Sequence, residues 1–389
     1  MTRKTIAKNT LRLRNAAFVF AAALLWAFVF NGCKGGLPAQ KAAKQDISAL
    51  IDSAYKAVGG NTQAPDRFGN VLTDISASAL ADAGYEPGDF VHITAGAFDG
   101  AIPFVEAYTD VPRGSELIRI SGGQVQIAIS YGNFAEKHAA ADSSPVTIQM
   151  AKKDGYKADM EIMRLKKLDN RSDYASDEIF ANFRAVSFGS IPPDFLYRSC
   201  HPALGDSRAP YAAKLAEQAG IATVINLADT VPEVTAMAAN VPWYSAKIRE
   251  GGVAGLAMGV DFASPDFRAK LRDGIRFMLQ HDGPFLIHCN EGKDRTGYVA
   301  ALFEGLAGAS AEQIIADYMV TYENYFGFTR EEPRYAIVSR VMADILAEMN
   351  GGKPVIGRNA QKAAENCLVT QIGLTKAEAS ALKKKLSGK

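Results

Sequence analysis

Cysteine is scarce in this chain: four among 389 residues, at Cys33, Cys200, Cys289 and Cys367, with no C-x-x-C pair and no regular spacing. That excludes a disulfide framework and a thiolate zinc site. Net charge is scarce as well, because 43 Lys and Arg against 42 Asp and Glu leave a formal +1. A chain so balanced lacks the basic surface that grips nucleic acid, so no nucleic-acid partner is expected and any anion site must be local. Acidic residues are missing entirely before Asp46, where Arg3, Lys4, Lys8, Arg12 and Arg14 cluster instead. The apolar run that follows, "AAFVFAAALLWAFVF" from Ala16 to Phe30, falls short of the about 20 residues of a comfortable membrane span.

A basic start, a short apolar run and small Gly32 before Cys33 form a targeting pattern. The segment resembles a bacterial lipoprotein signal, with Phe30 where such signals usually carry Leu. It implies a signal over residues 1–33, lipidation of Cys33, and a polar tether over 34–54 beginning "KGGLPAQKAAKQ". The expected location is outside the cytoplasm, at the bacterial cell envelope, with a lipid anchor in the membrane. Cys200 and Cys367 then either pair or stay buried and inert.

At 48% apolar residues the core is not limiting, and the length exceeds one ordinary domain. The first domain, over about 55–155, reads as antiparallel β. "FVHITAG", "PFVEAYTDV", "ELIRIS", "QVQIAIS" and "VTIQMAK" alternate or run β-branched, and Ser121-Gly122-Gly123 makes a hairpin turn between two of them. "FGNVLTDI", "AYTDVPRGSELIRIS" and "QVQIAISYGNFAEK" resemble the C-terminal β domain of the S-adenosylmethionine hydroxide adenosyltransferases. In that family the domain lends the adenosyl pocket the Asn of "FGN", here Asn70. Ser130 and Tyr131 stand where the family reads Asn and Gly, and the family's larger N-terminal domain has no room in this sequence. The domain is therefore expected to serve structure or docking, not transfer.

From about Asp177 to Lys389 the pattern becomes α/β. "LYRSC" and "IATVINLAD" read as buried strands around a helix from about Pro210 to Gln218 that stops at Gly220. A helix over about Phe267 to Leu279 follows, then the strand "PFLIH", then the helix "TGYVAALFEGLAG". Further helices are expected through Ile314 to Tyr322, over Pro333 to Met349, and over Lys376 to Leu386.

Between that last strand and its helix lies "HCNEGKDRTG". A short loop from Asn290 to Arg295 can turn its backbone N–H groups inward, and the following helix adds its partial positive charge, which together make an oxyanion cradle. Arg295 offers a planar fork for two phosphate oxygens. Cys289 at the floor feels the same positive field, which favours its thiolate as the nucleophile. Asn290, Glu291, Gly292 and Lys293 line the cradle, Gly292 and Gly297 permit tight turning and close packing, and Thr296 is placed to hydrogen-bond the sulfur. His288 reads as an orienting residue. The bland alternative is a core cysteine beside an anion-binding relic.

C-x5-R between a strand and a helix resembles the signature of the cysteine-dependent protein tyrosine phosphatase superfamily. "GKDRTG" is similar to the bacterial tyrosine phosphatases of atypical dual-specificity type, and "FLYRSCHPALG", "LAEQAGIATVINLAD" and "CLVTQIGLTKAEASALKKKL" extend the likeness. Asn226 and Ala228 stand where the family usually has Asp and Arg. A rhodanese also places Cys on such a loop, but Arg295-Thr296-Gly297 favours phosphate. The resemblance implies an α/β phosphatase domain, a central sheet flanked by helices, behind an N-terminal antiparallel β domain. It also implies phosphomonoester hydrolysis through a cysteinyl-phosphate intermediate, with no metal and no cofactor. The general acid is Asp294, as in the family's "KDR" members, or Asp261 upstream in "MGVDFASPDF", where Asp266 reads better as part of a helix start. Substrates divide into phosphorylated protein (tyrosine or dual specificity) and inositol phosphate or phosphoinositide, for which Lys293 adds charge. A catalytically idle anion- or adenosyl-binding module is the third reading.

Overall fold

A computed structural model of the protein describes residues 51–389. The expected signal, Cys33 and the tether as far as residue 50 lie outside the described residues. Among the described residues no helix is long and apolar enough to cross a membrane. The chain is already docked where the tether meets the β domain. Asp52 N–H donates to Met150 O at 2.8 Å, and Tyr55 packs edge-on against Tyr85 with ring centroids 6.3 Å apart.

The first domain holds two antiparallel sheets. One has the order β1 (Val58–Asn61), β7 (Pro145–Lys152), β3 (Phe90–Ala95), β4 (Phe98–Pro103); the other has β2 (Val71–Ser76), β6 (Gln124–Ile129), β5 (Glu116–Ser121). Alternate residues of each strand point to one side, and Val91, Ile93, Val125, Ile127, Ile148 and Met150 meet in one apolar cluster. The β5–β6 hairpin turns at Gly122 and Gly123 with φ of +58° and +83°, the left-handed pair that a tight hairpin turn demands. "PFVEAYTDV" is a correction to the sequence reading. Its first residue closes β4, and the rest is loop with a short 3-10 turn over Tyr108–Asp110. The cause is tertiary. The Asp110 carboxylate accepts from Ala107 N–H at 2.9 Å and from the Arg164 guanidinium at 2.9 and 2.8 Å, which turns the chain after a single bridge of Phe104 to Ile118.

Arg164 ends a linker helix, Lys157–Arg164. Its Met160 is buried with Val105, Val111 and Leu117 of the β domain, while Ala158 and Ile162 pack against the core of the second domain. One short helix thus serves both hydrophobic interiors. Ion pairs Lys152–Asp344 at 2.8 Å and Arg340–Asp154 at 3.1 Å cross the same boundary. Three of their four side chains are exposed and the fourth is part-buried, so each contributes about 1 kcal/mol at most.

The second domain is built on a five-stranded sheet, β11 (Val253–Gly255), β10 (Thr223–Asn226), β12 (Phe285–His288), β9 (Leu196–Ser199), β8 (Arg184–Ala185), with β8 alone antiparallel. Residues of β12 alternate between faces. Phe285, Ile287 and Cys289 enter the cluster beneath the helices Pro265–Gln280 and Asp294–Leu306, whereas Leu286 packs under Ala209–Gln218 and Pro242–Arg249. Burial of each such Leu, Ile or Phe contributes roughly 1.5–3 kcal/mol, enough in sum to fix the register. That register sets Asn226, His288 and Ser199 side by side at the carboxyl ends of three parallel strands. Loops leaving those ends converge, as ligand sites in open α/β sheets do. The expected helix over Pro333 to Met349 runs as two, Pro333–Val338 and Arg340–Met349, meeting at Ser339.

Candidate active site

The loop from Cys289 to Lys293 is shaped from outside by donors to its carbonyl oxygens. His201 N–H donates to Asn290 O at 3.0 Å. Tyr325 OH and Asn182 Nδ2 donate to Glu291 O at 2.8 and 3.1 Å, and Arg198 Nη2 donates to Gly292 O at 2.8 Å. In a trans peptide the carbonyl and the next N–H point in opposite directions. Drawing three successive carbonyls toward the protein body therefore turns the N–H groups of residues 291 to 293 the other way, into one concave face. Such a face can hold an anion by its backbone alone, and it lies at the N-terminus of the helix Asp294–Leu306.

Gly292 makes the shape possible. Its φ is +67°, and a Cβ placed on it lies 2.1 Å from Ser199 O, so the loop rests directly on the end of β9. Gly297 has a similar reason at the helix, where a Cβ would meet the Tyr318 ring at 2.8 Å.

Beneath the loop lies a buried ionic network. Arg198, fully buried, bonds Asp317 with one arm at 2.5 Å and Gly292 O with the other. Arg184 reaches the same carboxylate at 2.8 Å and Asn182 Oδ1 at 2.6 Å. Burial works to raise Asp317, but Arg184 and Arg198 outweigh it and hold the carboxyl below its ordinary range. Glu304, also buried, is pushed well above its usual range by desolvation and by Asp317. Among the described residues neither of its oxygens has a hydrogen-bond partner.

Cys289 and Arg295 flank the cradle. Cys289 is only 3% exposed. Arg295 is held from below, its Nη1 donating to Met258 O at 2.9 Å and Leu227 O at 3.4 Å, which leaves the rest of the fork free to turn toward an anion. Thr296 is fully buried, and among the described residues its hydroxyl has no hydrogen-bond partner. His288 Nδ1 lies 3.3 Å from Cys289 O and its Nε2 lies 2.7 Å from Tyr244 OH. Donation to the carbonyl puts the proton on Nδ1 and makes Tyr244 the donor to Nε2. Desolvation, reinforced by His201, holds this imidazole well below its ordinary range, hence neutral.

Lys293 is buried, and its ammonium lies 3.6 Å from Glu291 Oε2, 3.9 Å from Asp294 Oδ2 and 5.6 Å from the Tyr322 ring centroid. Asp294 opens the exit helix. Burial pushes its carboxyl up, with Glu291 adding to the effect and Lys293 and Arg295 opposing it. Asp261 is exposed and its carboxylate accepts from Ala263 N–H at 3.1 Å. It stands three residues beyond Met258, so its loop is tied to Arg295. Asp266 pairs with Lys270 at 2.9 Å in the first turn of the helix Pro265–Gln280, the helix-start role expected of it. Asn226, where the family has Asp, accepts from Ala228 and Asp229 N–H and donates to the Asp229 carboxylate, so it shapes a turn.

Several residues at the site carried no signal of their own in the sequence. Asn182, Tyr325 and Lys167 come from segments far from the loop. His201, whose ring donates Nε2–H to Asp229 at 2.8 Å while accepting from Ala203 N–H, was visible only as part of "YRSCH". In the β domain, Asn70 donates to Asp66 Oδ2 at 2.9 Å and so staples its own loop. Cys200 and Cys367 are free and buried, and desolvation raises both thiols.

Comparison with known proteins finds two families, each matching a different segment of the chain. Residues 180–388 match the tyrosine phosphatase family, and residues 60–147 match the SAM hydroxide adenosyltransferase C-terminal domain. A tyrosine-protein phosphatase of Nostoc commune is 44% identical across 12% of this chain and 16% of its own length. A Cupriavidus necator protein provisionally named tyrosine-protein phosphatase is 29% identical across 32% of this chain and 52% of its own. The chain thus spans at most about half the length of these curated relatives. Among solved structures, the core catalytic domain of the PP-IP phosphatase SIW14 from S. cerevisiae, in complex with citrate, is 21% identical over 45% of this chain and 96% of that one, with a TM-score of 0.26.

Proposed function

The chain belongs to the tyrosine phosphatase family, and from that premise we propose that it is a cysteine-dependent phosphomonoesterase acting on phosphorylated protein. One observation carries the reading: three outward-held carbonyls make an N–H cradle between Cys289 and Arg295. In the first step the Cys289 thiolate attacks phosphorus, the bond to the leaving oxygen breaks, and Asp294 gives that oxygen its proton. Water then attacks the phosphocysteine, the S–P bond breaks, Asp294 takes the proton, and inorganic phosphate leaves with the thiolate restored. Arg295 and the loop N–H groups neutralise the charge gathering on the phosphoryl oxygens in both steps. Thr296 supplies a hydroxyl for the sulfur as it leaves.

Burial pushes the Asp294 carboxyl above the usual carboxylate range, the direction that suits a general acid. The charge that would favour an inositol polyphosphate is already engaged, since Lys293 lies against Glu291, Asp294 and Tyr322. This supports phosphotyrosyl or phosphoseryl protein as the substrate class. With the export and Cys33 anchor expected from the sequence, that substrate would be one of the cell envelope. Turnover of a phosphotyrosyl peptide, compared with inositol hexakisphosphate under the same conditions, tests the choice. Preference for the inositol phosphate would reverse it.

A further inference from the structure

The linker between the two domains reaches the active-site loop through one side chain. Lys167 Nζ pairs with Glu291 Oε1 at 3.1 Å, and the other oxygen of that carboxylate lies 3.6 Å from Lys293 Nζ. Lys293 in turn stands 3.9 Å from Asp294. Charges therefore alternate along Lys167, Glu291, Lys293 and Asp294, from a residue outside the catalytic fold to the helix start beside the cradle.

Lys167 is not a loose surface lysine. The next residue, Leu168, donates its N–H to Tyr325 O at 2.9 Å, and its carbonyl accepts from Tyr174 OH at 2.7 Å and from the buried Arg208. The Lys167 ammonium lies 4.8 Å from the Tyr325 ring centroid, and that tyrosine's hydroxyl donates to Glu291 O. Tyr325 is thus gripped by the linker and grips the loop, so main chain and side chain of Glu291 are fixed from the same place. Asp169, 3.9 Å away, is a weaker competitor for the ammonium and is mostly exposed.

We propose that Lys167 is a positioning residue for the active-site loop: it holds the Glu291 carboxylate, which holds Lys293 against Asp294. The linker to the β domain is then a working part of the phosphatase. This rests on the phosphomonoesterase reading with Asp294 as acid and adds to it how that acid is set.

The charges around Asp294 give the proposal a signature. From the loop it is faced by Lys293, Glu291 and Arg295. Asp159 of the linker helix is near enough to act on it electrostatically, and its own carboxyl is pushed up to about 6 by desolvation, with Asp344 and Asp294 adding to the effect and Lys152 opposing it. Tyr318 and Tyr322 of the helix Ala311–Phe326 complete the surroundings, both kept neutral by burial. Loss of Lys167 leaves Glu291 uncompensated and makes the potential at Asp294 more negative. Loss of the Glu291 charge does the opposite.

The test is the pH profile of kcat/KM of the full chain on phenyl phosphate, whose poor leaving group makes protonated Asp294 necessary. Lys167→Ala should move the basic limb to higher pH by about half a unit, and Glu291→Gln should move it to lower pH by more, since Glu291 is one link nearer Asp294 along the charge chain. Lys167→Arg should restore the unaltered limb. Opposite displacements cannot come from mere loosening. Limbs that stay in place, or move the same way, overturn the proposal while leaving the phosphatase reading intact. Absence of turnover in the unaltered protein overturns both. Should Lys167→Ala fail to fold, Lys167→Met, which keeps the stem over Tyr325, takes its place with the same expected upward displacement.

Discussion

Arg198 Nη2 donates to Gly292 O at 2.8 Å while Nη1 of the same guanidinium bonds Asp317 at 2.5 Å. The active-site loop is therefore tied by one side chain to a buried carboxylate on a different helix. Arg198→Ala leaves Asp317 with Arg184 alone and the loop carbonyl without its donor. The expected cost is about 3–5 kcal/mol, the range for breaking a buried ion pair by removing one partner. Arg198→Lys should recover only part of it, because an ammonium cannot fork to both acceptors. Urea unfolding of the three proteins measures this, and equal stability of Arg198→Ala and the parent would refute it.

Asp317 and Glu304 should give opposite pH dependence to stability. Asp317 has a folded pKa held below its unfolded value, so its contribution is full above the ordinary carboxylate range of about 4 and is lost as pH falls through the folded value. Glu304 has a folded pKa raised above its unfolded value, so its stability is full in acid and is lost as pH rises from about 4 toward the folded value. Glu304→Gln cannot ionise. Melting temperatures of this variant should decline less between pH 5 and 8 than those of the parent; an unchanged slope would show that Glu304 does not carry the effect.

Gly292→Ala forces a Cβ into the Ser199 carbonyl at a φ that L-residues avoid. The chain should still fold, since the strain is local, but at a cost of about 1–3 kcal/mol and with turnover reduced at least about tenfold as the N–H groups swing out of line. Parental turnover in this variant would mean the cradle's shape is not set by this contact.

Both Cys200 and Cys367 are free and buried, so the pairing left open by the sequence is absent from the fold. Neither thiol should react with a small disulfide reagent until the chain is unfolded. Rapid labelling of either in the native protein would contradict their placement.

Which parts of this were legible in sequence follows from distance along the chain. The strand Phe285–His288, the loop and the helix Asp294–Leu306 are contiguous, so spacing alone exposed the loop and its candidate residues. Cys289, Arg295 and Asp294 need no partner elsewhere to be noticed. What shapes the loop comes from Asn182, Arg198, His201 and Tyr325, which no local pattern joins. Linker residue Lys167 lies 124 positions from Glu291 in a stretch assigned to neither domain. "PFVEAYTDV" misled for the same reason: its β-like composition is overridden by Asp110, which answers to Arg164. Short strands such as Val253–Gly255 have too few residues to show a period.

Asp294 and Asp261 are separated by leaving group. Asp294→Asn should slow phenyl phosphate hydrolysis by about 10²- to 10⁴-fold and that of para-nitrophenyl phosphate much less, since para-nitrophenolate leaves without protonation. In the parent, the phenyl phosphate rate should fall as pH rises through the elevated Asp294 pKa. Should Asp261→Asn show the selective loss instead, the loop bearing Met258 delivers the proton.

The most direct test of covalent catalysis is acid quenching of the full chain during turnover of para-nitrophenyl phosphate, followed by mass analysis of its peptides. The peptide containing Cys289 should carry one phosphoryl group, and Cys289→Ser should abolish both that mass and turnover while the protein stays folded. Turnover that survives Cys289→Ser, or a phosphoryl group found on another residue, would contradict the account.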